Sequence, residues 1–274
     1  MAKLPITKNS DFFRLAEYTF IVIVCLLSIF PFYWMLAGAT NRSVDVITGK
    51  ITPGLYLFEN IRNIPKGLPR AFWNSIRTSA IQTLLSILVC SMAGYGFQIY
   101  RDKAKSRLMN ILLLSMMIPL ATTMVPLFKM FSKVHLLNST MGFVLPGVST
   151  AFLIFFFRQN SVAFPIETIQ AARVDGLNEL QIYIRVYIPI MAPTFAAAAI
   201  VTFMTSWNNY MWPLIVMQNQ KMQTMPLLVS GLTAGYVTDY GLLMLCVSIM
   251  TIPTVVLFFS QQKKFIEGVT GSVK

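Results

Sequence analysis

The sequence predicts an all-α, polytopic membrane protein with six transmembrane helices. Three observations carry that reading. Of 274 residues, 55% are hydrophobic and only 12% are charged, whereas a soluble domain carries about a quarter charged residues. The mean hydropathy of +0.64 points the same way. Finally, six stretches free of Asp, Glu, Lys and Arg reach the ~20 residues that a helix needs to cross a bilayer core. They are 18–41, 78–100, 108–128, 134–157, 186–220 and 240–262.

The first run follows a short basic segment, 1–17, with Lys3, Lys8 and Arg14. Its apolar stretch, Tyr18 to Ala39, is too long for a secretory signal, whose apolar region is about 7–15 residues. Pro31 and Trp34 near its end suit a helix meeting the membrane interface, where aromatic residues collect. A loop, 42–77, leads to the second run, which ends at the tight cluster Arg101, Lys103, Lys105 and Arg107. Lys129 and Lys133 separate the third and fourth runs, and a longer polar connection, 158–185, separates the fourth from the fifth. A seventh uncharged stretch, 222–238, is only 17 residues and contains Gln223, Thr224, Ser230, Gly231, Thr233 and Gly235. It reads as an extracellular or re-entrant loop. The sixth run leaves a short tail, 263–274. The chain thus divides into a cytoplasmic segment 1–17, a membrane domain 18–262 and a cytoplasmic tail 263–274.

Six spans put both termini on one side. If that side is cytoplasmic, the inner segments hold 13 of the 22 Lys and Arg residues. Six of the other nine lie in the long loop 42–77, where charge counts for less in setting orientation. Both termini are therefore expected inside. The net charge of +12 does not indicate a nucleic-acid partner, because the basic residues form short clusters between apolar runs and line no single polar face.

Catalytic chemistry has little to stand on. Cys25, Cys90 and Cys246 are scattered through apolar runs without CxxC spacing, and His135 is the only histidine, so neither a disulfide framework nor a metal site is expected. No G-x-x-x-x-G-K-[ST] loop exists to cradle a nucleotide. No ionisable side chain lies deep in the runs, which disfavours proton-coupled carriers and voltage sensors. Prolines are frequent in the runs (Pro119, Pro126, Pro146, Pro193, Pro213, Pro253), and each removes a backbone donor and tends to kink a helix.

The informative segment runs from Phe164 to Pro189. Pro165 suits a first helical position, and Glu167 suits the positive end of the helix dipole. Gly176 can take the left-handed conformation that ends a helix. Asn178 with Gln181 forms the pattern of a capping pair opening the next. Ala171 and Ala172 would give a flat face that another backbone could approach. The segment reads as a docking helix, a turn and a second helix.

This segment resembles the cytoplasmic loop of ABC-importer permeases, E-A-A-x3-G-x9-I-x-L-P, with Ala171, Ala172, Gly176 and Pro189 on the pattern without a gap. Gln170, Val186 and Ile188 depart from it conservatively, and Gln170 lacks the charge of the usual Glu. The segment Trp207-Asn208-Asn209-Tyr210-Met-Trp212-Pro213-Leu214 and the tail Phe265 to Lys274 are similar to the maltose-type (MalG-like) branch of that family. The resemblance implies the type I ABC importer permease fold and a carbohydrate importer in the bacterial cytoplasmic membrane.

It further implies that the loop, with Glu167, Gln170, Ala171, Ala172, Asp175, Gly176 and Pro189, docks on a dimeric ABC ATPase. The ATP and Mg would be bound by those partners, and this chain would hold no cofactor. The tail residues Phe265, Gly268, Gly271 and Lys274 would reach the ATPase. A second (MalF-like) permease would complete the path, and an extracytoplasmic binding protein would deliver a sugar or oligosaccharide. Trp207, Asn208, Asn209 and Tyr210 are the candidate sugar contacts, since amides and aromatics suit a hydroxyl-rich solute; interhelical hydrogen bonding is the competing role for the amides. A carrier or channel acting alone would need charged residues in the spans or a filter sequence, and the sequence has neither; a structural anchor would leave the loop spacing unexplained.

Overall fold

The computed structural model describes residues 9–100 and 102–270, with side-chain surroundings for 13–100 and 102–262. Among these residues the regular structure is entirely helical. Three helices are long and apolar enough to cross a membrane alone: Phe13–Ala39, Leu68–Ile99 and Tyr240–Gln262. Three more crossings are bent pairs, Lys103–Ser115 with Leu120–Lys133 (99°), Thr140–Val148 with Ala151–Ala163 (46°), and Glu179–Ile190 with Ala192–Trp207 (82°). Each pair overlaps one of the six uncharged runs, and with each pair taken as one span the spans number six by length and composition.

The bends mark breaks in the backbone ladder, and only some of the expected prolines make them. Pro119 caps the helix after the sharpest bend, and Met191, between Pro189 and Pro193, marks the 82° bend. Pro126, Pro146 and Pro253 instead sit inside continuous helices. The 46° bend falls at Ser149-Thr150, where Thr150 opens the next helix by accepting from Leu153 N.

The chain forms two compact units. The first contains α1 (Asn9–Ala39), α2 (Ser43–Ile47), α3 (Leu57–Arg62) and the first turns of a last helix that runs from Tyr240 to Thr270. Every side chain of α1 from Phe13 to Tyr33 is exposed. An apolar helix without a protein cover on any side is what a lipid environment accommodates. Its C-terminal end is closed by buried amides: Asn60 Nδ2 donates to Ala39 O (2.9 Å) and Asn41 O (3.0 Å), and Asn41 Nδ2 donates to Ala37 O (2.9 Å).

The second unit is built on α4 (Leu68–Ile99), which begins ten residues before the uncharged run and so carries Arg70 and Arg77 on its first turns. After it come α5 (Lys103–Ser115), α6 (Leu120–Lys133), α7 (Thr140–Val148) and α8 (Ala151–Asn160). These are followed by α9 (Ile166–Val174), α10 (Glu179–Ile182), α11 (Ile188–Ile190), α12 (Ala192–Trp207), α13 (Met211–Val216) and α14 (Met225–Gly231), and the remainder of the last helix, α15 (Tyr240–Thr270), closes the unit. The α4 helix packs on α7, α8 and α12 through a buried stripe of small and polar residues: Ser79, Gln82, Ser86, Cys90 and Gly94. Small residues let helix backbones approach, and hydroxyls and amides bond across the contact. Ser86 Oγ donates to Gly147 O (2.7 Å), and Ser206 Oγ donates to Gln82 Oε1 (3.0 Å).

The stretch 222–238 does not cross. Its helical part, α14, is tucked against α4, with Met225 N donating to Ser75 Oγ (2.8 Å) and Asn74 Nδ2 donating to Lys221 O and Gln223 O (both 3.0 Å). At the other end of α4, Asp102 caps α5, accepting from Lys105 N (2.7 Å) and Lys105 Nζ (2.6 Å). These bonds hold its carboxyl below the usual carboxylate range.

Candidate functional site

The segment 161–190 folds as a helix–turn–helix whose boundaries come from local chemistry. Pro165 is the residue before α9, one position earlier than expected, and Ile166 opens the helix with Glu167 in its first turn. The helix ends at Gly176, whose φ of +81° is left-handed. Gly176 N bonds back to Arg173 O (3.1 Å) and Leu177 N to Ala172 O (3.0 Å). This pair of bonds is a Schellman stop, which satisfies carbonyls that a helix end leaves free. Two residues on, Asn178 Oδ1 accepts from Gln181 N and Gln181 Oε1 accepts from Asn178 N, both at 2.9 Å. The expected capping pair is thus a full capping box.

The two alanines part company. Ala172 is 6% exposed and lies in a buried cluster with Tyr95, Phe164, Ile169, Ile182, Tyr183, Tyr187 and Met191. Its side chain packs inward, so the flat outward face expected of the two alanines is formed by Ala171 alone. Side chains on opposite faces of a helix cannot share one surface. The outward stripe is Glu167, Gln170, Ala171 and Val174, at helical spacings of three and four, with Asp175 and Gly176 beyond it. Val174 is 88% exposed and was not singled out from the sequence. Pro189 is exposed as well, while Val186 and Ile188, which precede it, lie against the cluster.

The inner face of α9 is fastened to the membrane helices by tyrosines. The Tyr95 ring, on α4, stands edge-on to Tyr187 (4.9 Å between centroids) and Tyr183 (5.6 Å). Tyr183 OH shares a hydrogen bond with Ser91 Oγ on α4, and Tyr187 OH shares one with Ser161 Oγ, both 2.6 Å. Tyr183–Tyr187 form a π-helical turn, a widened turn that occurs often at functional sites. A second tie crosses the loop: Arg173 Nε donates to Glu179 Oε1 (2.8 Å), and Tyr95 OH donates to Glu179 Oε2 (3.3 Å). The Glu179 carboxylate raises the Arg173 pKa above its ordinary value. The ion pair is exposed and so contributes about 0–1 kcal/mol; its effect is to fix the approach of the two helices. None of these tyrosines was marked by the motif, although the i, i+4 spacing of Tyr183 and Tyr187 after the capping box was legible.

The candidate sugar contacts are already engaged within the chain. Trp207 is 1% exposed; its Nε1–H donates to Met250 O (3.1 Å) and its ring lies edge-on to Phe72 (5.6 Å). Its ring is packed within the chain. Asn208 and Asn209 mark the break between α12 and α13. Asn208 is exposed, with Nδ2 donating to Met204 O (2.9 Å), and Asn209 Oδ1 accepts from Trp212 N (3.3 Å). Tyr210 is half-buried and its OH accepts from Ser230 Oγ (3.1 Å). In the tail, Phe265 and Gly268 belong to α15, whose helix continues to Thr270, while Gly271 and Lys274 lie outside the described residues.

Comparison with known proteins agrees with this geometry. Residues 86–270 match the family model described as "Binding-protein-dependent transport system inner membrane component". The chain is 44% identical to the lactose transport system permease protein of Rhizobium radiobacter, over 95% of this chain and 96% of that one. It is 33% identical to the arabinooligosaccharides transport system permease protein of Bacillus subtilis, over 96% of each. A chain of a bacterial ABC transporter involved in import of the acidic polysaccharide alginate has the same fold, with a TM-score of 0.81 at 18% identity, over 96% of this chain and 100% of that chain. An outward helix anchored by a buried cluster in a six-span chain, together with these matches, places the protein: it belongs to the family of binding-protein-dependent transport system inner membrane components, the permeases of ABC importers.

Proposed function

We propose that this chain is one of two permease subunits of an ATP-driven carbohydrate importer. A second, MalF-like permease completes the translocation path, and a dimeric ATPase docks on the outward stripe of α9. An extracytoplasmic binding protein delivers the sugar. The chain itself is non-catalytic; ATP and Mg are bound by the ATPase subunits. Both termini face the cytoplasm. The lactose and arabinooligosaccharide relatives, named for carbohydrates, support that substrate class.

The observation that carries the reading is the two-faced character of α9. Its outer stripe, Glu167, Gln170, Ala171 and Val174, is free for a partner, while Ile169 and Ala172 on its inner side are locked into the cluster with Tyr95, Tyr183, Tyr187 and Met191. A push on the outer face is therefore delivered through close-packed rings to α4 and to the start of α12. Packed interiors transmit such displacements because they do not compress. ATP-driven closure of the ATPase dimer would bias the spans between inward- and outward-facing states, and binding-protein docking would bias them from outside.

The test is co-purification of the tagged chain from native membranes with an ATPase assay on the product. Recovery of a second permease and an ATPase, lost on V174D or A171R with the melting temperature unchanged, is the expected result. Purification of the chain alone, with solute movement in liposomes that needs no ATP, would make it a carrier or channel.

A further inference from the structure

Where the C-terminal end of α4 meets α5 and the end of α8, Phe97, Gln98, Lys105, Ser106, Met109, Arg158 and Val162 line a cavity of about 160 Å³. Gln98 is 1% exposed, and both its Nε2 and its Oε1 lack a hydrogen-bond partner. Among the described residues it is the one buried amide unpaired at both ends. Buried polar groups are nearly always bonded, so an orphan of this kind calls for a ligand or ordered water. Arg158 is half-buried, and its side chain makes no hydrogen bond or ion pair among the described residues. Lys105 supplies a second positive charge, shared with Asp102 at 2.6 Å.

We infer that this cavity binds a phosphate group, held by the Arg158 guanidinium and the Gln98 amide N–H, with Lys105 as a neighbouring charge. Arg presents a planar fork of donors matched to phosphate oxygens, and its bonds to an anion are among the stronger ones. The volume admits a phosphate with room beside it. The apolar members of the lining, Phe97, Met109 and Val162, suit the glycerol and upper acyl carbons of a phospholipid, and basic pockets between membrane helices are known to take anionic head groups. Free orthophosphate shares the same binding chemistry. The site is separate from the α9 stripe and stands whether or not the ATPase assignment does.

The test uses the intact complex in detergent, as wild type, R158Q and Q98L, compared by melting temperature and by native mass spectrometry. One arm adds inorganic phosphate against chloride at matched ionic strength; the other adds phosphatidylglycerol against phosphatidylcholine. Wild type is expected to gain stability from the phosphate-bearing anion, and R158Q to bind it about tenfold more weakly. Q98L, relieved of its orphaned amide, is expected to be at least as stable as wild type without the anion and to gain little from it. A response and a retained lipid in the phosphatidylglycerol arm identify a membrane lipid as the source; a response to orthophosphate alone identifies a soluble one. Equal gains in all three proteins, or no gain in wild type in either arm, would overturn the site.

Discussion

Ala171 and Ala172 are adjacent, chemically identical and placed in opposite environments. The sequence shows the helix and its Gly176 stop, because left-handed termination and the Asn178–Gln181 box are written in local residue types. It does not show which alanine points inward, because that is set by rings contributed from Tyr95 and Tyr187. The difference is measurable. Ala172→Leu should overpack the cluster and destabilise the chain by about 1–3 kcal/mol, read as a lowered melting temperature of the purified complex. Ala171→Leu should leave that temperature in place and act on ATPase recovery. Gly176→Ala faces open space yet holds a left-handed φ, so it should cost about 1–2 kcal/mol through the backbone alone, with Gly176→Asn milder. An Ala variant as stable as wild type would refute the strained stop. Asp102 behaves differently again. Its lowered pKa means its cap on α5 contributes above the ordinary Asp range and is lost as pH falls through the lower, folded value. D102N should therefore flatten the acid side of the stability profile.

Among the elements, α4 organises its unit, and its role was the least legible. The uncharged run 78–100 marked it as a span, but hydropathy carries no information about which neighbours a helix keeps. That information lies in the spacing of Ser79, Gln82, Ser86, Cys90 and Gly94, a small and polar stripe that faces α7, α8 and α12. At Gly94 an added Cβ would sit 2.5 Å from Phe157 Cβ and 2.9 Å from Arg158 N. Backbone cannot swing aside, so Gly94→Ala should push α8 from α4 and cost about 1–3 kcal/mol. Thermal unfolding of the complex decides it, and an unchanged melting temperature would mean the helices sit farther apart than described. The broken spans were half legible: Pro119 and Pro193 announced bends, while the break at Ser149-Thr150 has no proline and follows from a side-chain cap.

At the scale of the whole chain, six charge-free runs sufficed for the number of spans, because the bilayer imposes one length on all of them. Sidedness rests on charge alone and is checked directly. With an impermeant thiol reagent on otherwise Cys-free protein, K129C should label in intact cells and K103C only after the membrane is opened. The opposite pattern would invert the proposed topology and place α9 outside, beyond reach of any ATPase. The candidate sugar contacts were hard to judge for a physical reason: Trp207 and Asn209 satisfy their bonds within the chain, so their residue types suit packing as well as a solute.

The bareness of α1 has an evolutionary corollary. A helix whose side chains from Phe13 to Tyr33 touch so little of their own protein is held to a length and an oiliness but to hardly any particular residue. Exchanges among Leu, Ile, Val and Phe at positions such as Phe20 and Leu27 should pass unselected, whereas Gly94 admits no such drift. Random mutagenesis under selection for growth on the imported sugar would then leave α1 the most altered membrane segment and the α4 stripe nearly intact.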